Sequence, residues 1–153
     1  MPKIDIDSAP RGDGTTYPEE FADPCKPRRR WKLGDAAGLD QFGVNMLRRP
    51  AGAWSSQRHW HALEDEFIYV LEGELVLVTD AGEQVLRAGM AAGFPAGRPD
   101  GHHLINRSDR DALYPEVGTD SPKDMAVYSD IDMEMRPLPE GGHHYVHKDG
   151  TPY

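Results

Sequence analysis

His59, Trp60 and His61 stand between Gly52 and Gly73, with a carboxylate at Glu66 five residues past the second histidine. Successive side chains of a strand alternate faces, so His59 and His61 project together while Trp60 points the other way, beside Arg58. Two imidazoles on one face and a carboxylate returned to them form a mixed nitrogen and oxygen donor set, suited to one divalent transition metal such as Zn, Mn, Fe, Co, Ni or Cu. An offset of five cannot be met on one straight strand. A turn through Leu63, Glu64 and Asp65 must bring a carboxylate back, and Glu64, Asp65 and Glu66 all compete for that position.

The elements that would position these donors read as short strands. Gln41 to Leu47 alternates apolar and polar residues and ends at Pro50-Ala51-Gly52. Glu66 to Leu71 is apolar on both faces, as expected of a strand between an interior and an outer layer, with Tyr69 packed outward. Glu74 to Thr79 and Gln84 to Arg87 flank Asp80-Ala81-Gly82, a hairpin signal. Further strands fit Ala91 to Phe94, His103 to Asn106 and Ala112 to Gly118, and the alternation from Val127 to Arg136 reads as one more. Strands at regular spacing with no helical stripe predict an all-β antiparallel fold. Residues 1 to about 30, rich in Pro, Asp and Gly, read as an irregular arm ordered by the domain. The division is an arm (1–32), a β-barrel domain (33–136) and a C-terminal tail (137–153).

At 153 residues with net charge −9, the chain suits one domain whose field repels nucleic acid and anionic membrane. Arg28-Arg29-Arg30 reads as three solvated arginines. One cysteine, Cys25, excludes an intrachain disulfide and fits a reducing, cytoplasmic setting; the opening Met1 to Asp7 has no signal pattern, and no apolar run reaches spanning length. His143, His144 and His147 fit neither a strand pair nor a helical pair throughout, and read as exposed.

The stretch from Gly52 through His59-Trp60-His61 and Glu66 to Gly73 resembles the first motif of the cupin superfamily, and Gly89, Pro95-Ala96-Gly97, His102 and Asn106 resemble the second. The segment Arg98-Pro99-Asp100-Gly101 is two residues longer than the common pattern. The resemblance implies an antiparallel jelly-roll barrel. It selects Glu66 as the carboxylate, leaves Glu64 and Asp65 on a solvated turn, and makes His59, His61, Glu66 and His102 the metal ligands, with His103 the competitor of His102. Arg98, in the longer loop, and Asn106 become the candidates to hold a small-molecule substrate.

Gly38-Leu39-Asp40-Gln41-Phe42-Gly43, Asn106-Arg107-Ser108-Asp109, Glu116-Val117-Gly118 and Tyr128-Ser129-Asp130-Ile131-Asp132 are similar to a group of small bacterial single-domain cupins described as sugar-phosphate isomerases. That resemblance implies metal-assisted proton transfer next to a substrate carbonyl, with either Glu66, where the metal does not fully engage it, or a metal-bound hydroxide as base. It also implies a homodimer in which the arm and the Met-bearing tail can cover a partner's sheet edge. The same donor set would suit a metal-dependent dioxygenase or decarboxylase, and the fold a sensory binding protein.

Overall fold

The barrel rests on two antiparallel layers whose apolar faces meet, and the computed structural model describes them over residues 3–153; Met1 and Pro2, the start of the arm, lie outside the described residues. The first layer contains β1 (Arg29–Lys32), β2 (Phe42–Arg49), β4 (Glu66–Tyr69), β7 (Ala91–Phe94) and β9 (Ala112–Thr119), in the order β1-β2-β9-β4-β7. The second is built from β12-β11-β10-β3 and β6-β5-β8: β3 (His59–His61), β5 (Glu74–Thr79), β6 (Gly82–Arg87), β8 (His103–Ile105), β10 (Ala126–Tyr128), β11 (Glu134–Pro137) and β12 (His143–Val146). A pair of backbone hydrogen bonds joins its halves, His59 N to His102 O at 3.1 Å and His102 N to His59 O at 2.8 Å. Two short helices, α1 (Glu19–Ala22) and α2 (Leu33–Ala37), flank β1.

Alternation decides what each strand buries. On β2, Leu47 and Arg49 face inward while Phe42 stays exposed; on β4, Ile68 is buried, as is Val70 just after it. Leu47, Ile68, Val70, Leu75, Leu77, Leu86, Leu104 and Tyr114 make one apolar core. A second, smaller core sets Tyr17 and Phe21 of the arm against Ala126, Tyr128 and Met133, so the arm is ordered by the aromatic surface it buries.

Several expectations are corrected. Among the described residues no segment of this chain forms an outer layer over β4: Phe67, Tyr69 and Leu71 are 47%, 39% and 42% exposed. The stretch from Val127 to Arg136 holds two strands, β10 and β11, because Ser129 to Met133 turns the chain back and buries Met133. Within the chain, and independently of any partner, the arm runs along β1: Gly12 N and Gly14 N donate to Arg30 O and Arg28 O, and Lys32 N donates to Pro10 O. The tail residues His143–Val146 pair with β11 in the same manner.

Gly73, the glycine that closes the first motif, adopts φ +79°, and a Cβ there would lie 2.7 Å from Asp111 O. Neither the backbone nor the neighbour can relax cheaply, since the carbonyl belongs to the loop entering β9. Gly73→Ala is expected to destabilise the fold by about 2–4 kcal/mol, read from the midpoint of urea denaturation.

Candidate metal centre and its cavity

Three strands from both layers bring the donors together. His59 and His61 share the inner face of β3, and the backbone pairing across the seam puts His102 opposite His59. Glu66 enters from β4 in the facing layer, where Gly118 is its cross-strand neighbour; a Cβ on Gly118 would sit 2.9 Å from Asp65 O and push the turn away. His59, His61 and Glu66 each offer a donor atom within 4.8 Å of the others, and His102 joins through Glu66, its Nε2 lying 2.8 Å from the carboxylate.

The tautomers follow from the outer nitrogens. His59 Nδ1 lies 3.0 Å from Gln57 O, which can only accept, and His61 Nδ1 lies 2.5 Å from Asp124 Oδ2. Both Nδ1 atoms therefore carry hydrogen, which leaves the Nε2 lone pairs facing each other 3.0 Å apart. Glu66 Oε2 stands 3.9 Å and 3.7 Å from them. Two lone pairs and a carboxylate around one point call for a cation, so this set fits a divalent ion; the other candidate guest is a proton on His61. His102 Nε2 faces the ionised Glu66 carboxylate, which can only accept, so that nitrogen carries the hydrogen and donates to Glu66, while His102 Nδ1 is buried without a partner among the described residues.

The electrostatics agree with that geometry. Burial lowers the His59 pKa to about 3, keeping it neutral. Burial would lower His61 too, but its bond to Asp124 and the Glu66 and Glu64 charges outweigh burial and raise it to about 8. Burial would raise Glu66; the His102 hydrogen bond and the surrounding imidazoles overcome this and hold the carboxyl well below its ordinary value.

Other residues fall where the sequence did not point. Asp124, nearly buried, fixes His61 and also accepts Leu63 N at 2.8 Å. It shares its face with Ala126 and Tyr128, an alternation that could have revealed it. Tyr128 stacks on the His59 ring at 5.6 Å and Phe94 on the His102 ring at 3.6 Å. Glu64, expected in solvent, lines the cavity: it accepts Ser121 N at 2.7 Å, lies 3.9 Å from His61, and has its pKa raised by burial.

His103 turns away from the donors, its Nδ1 3.1 Å from Ser56 O and its ring edge-on to Trp54. Asn106 is not among the residues that line the cavity. It is fully buried, its amide donates to Arg49 O and Arg110 O, and its oxygen accepts from Ser108, so the side chain is spent on the turn after β8. Arg98 is exposed and lines a small pocket of about 90 Å³ with Trp60, Asp100, Glu66 and His102. The longer loop is seated by Arg58, which pairs with Asp130 and Asp80 and donates to Gly101 O. A side chain on Gly101 would collide with Ser129.

The donors open into a cavity of about 780 Å³ whose far wall is the arm and β1. The arginine run is therefore not simply solvated. Arg28 is half-buried, donating to Gly14 O and Ser55 O, and Arg30 faces the cavity. His143, though exposed, stands at its rim, while His147 bonds Asp132 at 3.0 Å. Cys25 is buried, and burial raises its thiol pKa to about 11, which makes it inert at neutral pH.

Residues 45–118 match the cupin domain family. The chain is 46% identical to a sugar phosphate isomerase of the cupin superfamily from Silicibacter pomeroyi, with TM-score 0.94 over 99% of this chain and 96% of that one. It thus belongs to the cupin superfamily, and its paired layers are the jelly-roll fold. A protein from Acidithiobacillus ferrooxidans (24% identity, TM-score 0.74, 82% of this chain and 80% of that one) has the same fold. So does the polyketide cyclase RemF from Streptomyces resistomycificus (22%, 0.63, 78% and 79%). No curated protein matches the chain in sequence. Among the described residues no helix is long and apolar enough to cross a membrane.

Because a proton on His61 and a metal ion occupy the same place, divalent-ion affinity should rise about tenfold from pH 7 to pH 9 and level off above the His61 pKa. Asp124→Asn removes the carboxylate that raises that pKa; it should weaken binding about 10–100-fold and flatten the rise above pH 7. Competition titrations with a chromophoric chelator across this range measure both.

Proposed function

We propose that this protein is a divalent-metal-dependent isomerase of sugar phosphates or similar small hydroxylated carbonyl compounds. The observation that carries the reading is the convergence of the His59 and His61 Nε2 lone pairs with Glu66 at the end of a cavity large enough for such a molecule. The near full-length similarity to a sugar phosphate isomerase supports it. A bound ion would supply Lewis-acid polarisation of a carbonyl and its neighbouring hydroxyl. His59, His61 and Glu66 would hold that ion, with His102 aligned through Glu66.

Proton transfer between adjacent carbons needs a group whose protonation can change. Glu66, expected as the base, is held ionised and engaged by His102, which weakens it for this task. Glu64 is the better placed carboxylate: half-buried beside His61, with a raised pKa and one oxygen anchored by Ser121 N. The apolar flank of Ile68, Phe94 and Leu104 limits water in the cavity. The setting we propose is the cytoplasm, where the buried Cys25 thiol stays reduced.

The metal-loaded protein, its ion identified by elemental analysis, is to be incubated in D₂O with a panel of aldose and ketose phosphates and followed by proton NMR. Interconversion with deuterium incorporation beside the carbonyl is expected, and His59→Ala should lower it at least 100-fold. Absence of exchange with every substrate, or an unchanged rate in His59→Ala, overturns the reading.

We further propose that a second copy covers the outer face of the β1-β2-β9-β4-β7 layer. Phe42, Phe67, Tyr69 and Leu71 leave there an exposed apolar surface of the kind that marks an interface. Light scattering should give twice the mass of one chain, and Phe67→Asp should give one; a wild-type monomer would refute it.

A further inference from the structure

The wall of the cavity opposite the histidines carries cations that the metal centre does not use. β1 turns Arg30 and Lys32 inward, and their cross-strand partners on β2 are Leu47 and Asn45. Asn45 in turn faces Glu116 on β9, and Glu116 faces Ile68 on β4, two residues from Glu66. Both poles thus belong to one inner sheet face. Three inter-strand steps of about 4.8 Å separate β1 from β4, roughly 14 Å. A long cationic side chain from one end and a carboxylate from the other leave a gap on the order of 5–8 Å, the length of a short carbon chain.

The charge balance of this wall is incomplete. Arg30 Nη2 is 3.7 Å from Glu116 Oε1, beyond a hydrogen bond, and its Nε is buried with no partner among the described residues. Glu116 Oε1 is shared with Asn45 Nδ2 at 3.3 Å. Lys32 Nζ lies 3.5 Å from Asp35, an exposed carboxylate. Arg28, close behind, donates to carbonyl oxygens and, among the described salt bridges, meets no carboxylate. Asp13 accepts Arg30 N and is occupied by Arg11. Three partly desolvated cations against Glu116 and Asp35, in a molecule of net charge −9, make a local positive pole that an entering anion would neutralise.

We propose that Arg30 and Lys32 bind the phosphoryl group of the substrate, fixing its carbonyl end at the histidines. This rests on the isomerase reading above. A fork of guanidinium donors beside an ammonium suits a tetrahedral dianion better than a neutral hydroxyl. Arg98, on the exposed loop, lines a small pocket together with Glu64, Glu66 and Asp100, a set of carboxylates that disfavours an anion there.

The test compares wild type with Arg30→Met, Lys32→Met, the double variant, the conservative Arg30→Lys, Arg98→Gln at the exposed loop, and Arg110→Gln, an exposed arginine outside the cavity. For each, turnover of a sugar phosphate and of the same sugar without phosphate is measured, and inorganic phosphate is titrated calorimetrically into the purified chain. The double variant should raise KM for the phosphorylated substrate at least tenfold, leave the unphosphorylated one within twofold, and lose phosphate binding. Arg30→Lys should recover part of it, and Arg110→Gln should match wild type. Unchanged phosphate binding in a folded double variant overturns the proposal, as does equal loss on both substrates, or the same loss on Arg98→Gln instead. Should wild type isomerise no sugar phosphate, the isomerase reading fails, and the phosphate titration still decides for or against the anion site.

Discussion

The reciprocal backbone pairing of His59 and His102 is the constraint on which the rest of the structure depends. Two hydrogen bonds stitch the β12-β11-β10-β3 group to β6-β5-β8, so that one continuous layer can face β1-β2-β9-β4-β7. The stitch also fixes parity. With His59 opposite His102, both rings must lie on the inner face, and His61 follows two residues along. A slip of one residue would turn His59 and His61 outward and bring Trp60 into the cavity. Fold closure and donor geometry are one event in this chain, which explains how a three-residue strand can hold a site.

Around that stitch the protein arranges polar groups at some cost. His102 Nδ1, Tyr114 Oη and Arg49 Nε are buried without partners. Arg49 is 1% exposed, donates among the described residues only to Arg48 O at 3.3 Å, and lies over the Tyr114 ring. A buried guanidinium supported by a ring face is a weak substitute for a carboxylate. The apolar core beneath it, with Leu47, Leu75 and Val70 fully buried, is what tolerates such groups.

Much of the barrel was legible in the sequence because the period-two pattern and turn residues act locally. The hairpin of β5 and β6, paired from Glu74 opposite Arg87 to Thr79 opposite Gly82, needs only its own alternation and the Asp80-Ala81-Gly82 turn. The pairing of His59 with His61 was legible for the same reason, whereas the choice of Glu66 over Glu64 and Asp65 came from the motif resemblance and not from local alternation. What escaped depends on distant partners. β1 reads as a charge cluster until Arg30 and Lys32 are seen facing a cavity, with Trp31 on the other face under the Arg11 guanidinium. Asp124 lies 63 residues from His61. Asn106 carries a motif position but spends its amide on nearby carbonyls, a distinction no residue type can convey. Glu64 shows no strand parity, because a turn places it.

The far wall of the cavity joins segments far apart in the chain: Thr16 meets Tyr145 across 129 residues, and Tyr17 packs its ring on Tyr128 and Tyr145. Contacts of such sequence separation form late, after the local hairpins have settled. During synthesis the histidine end can assemble as soon as β10 has emerged, whereas the arm, made first, must wait for Tyr145. The nascent protein would therefore pass through a state with its donor groups in place and its cavity still open on one side, until the emergence of β12 converts a groove into a chamber.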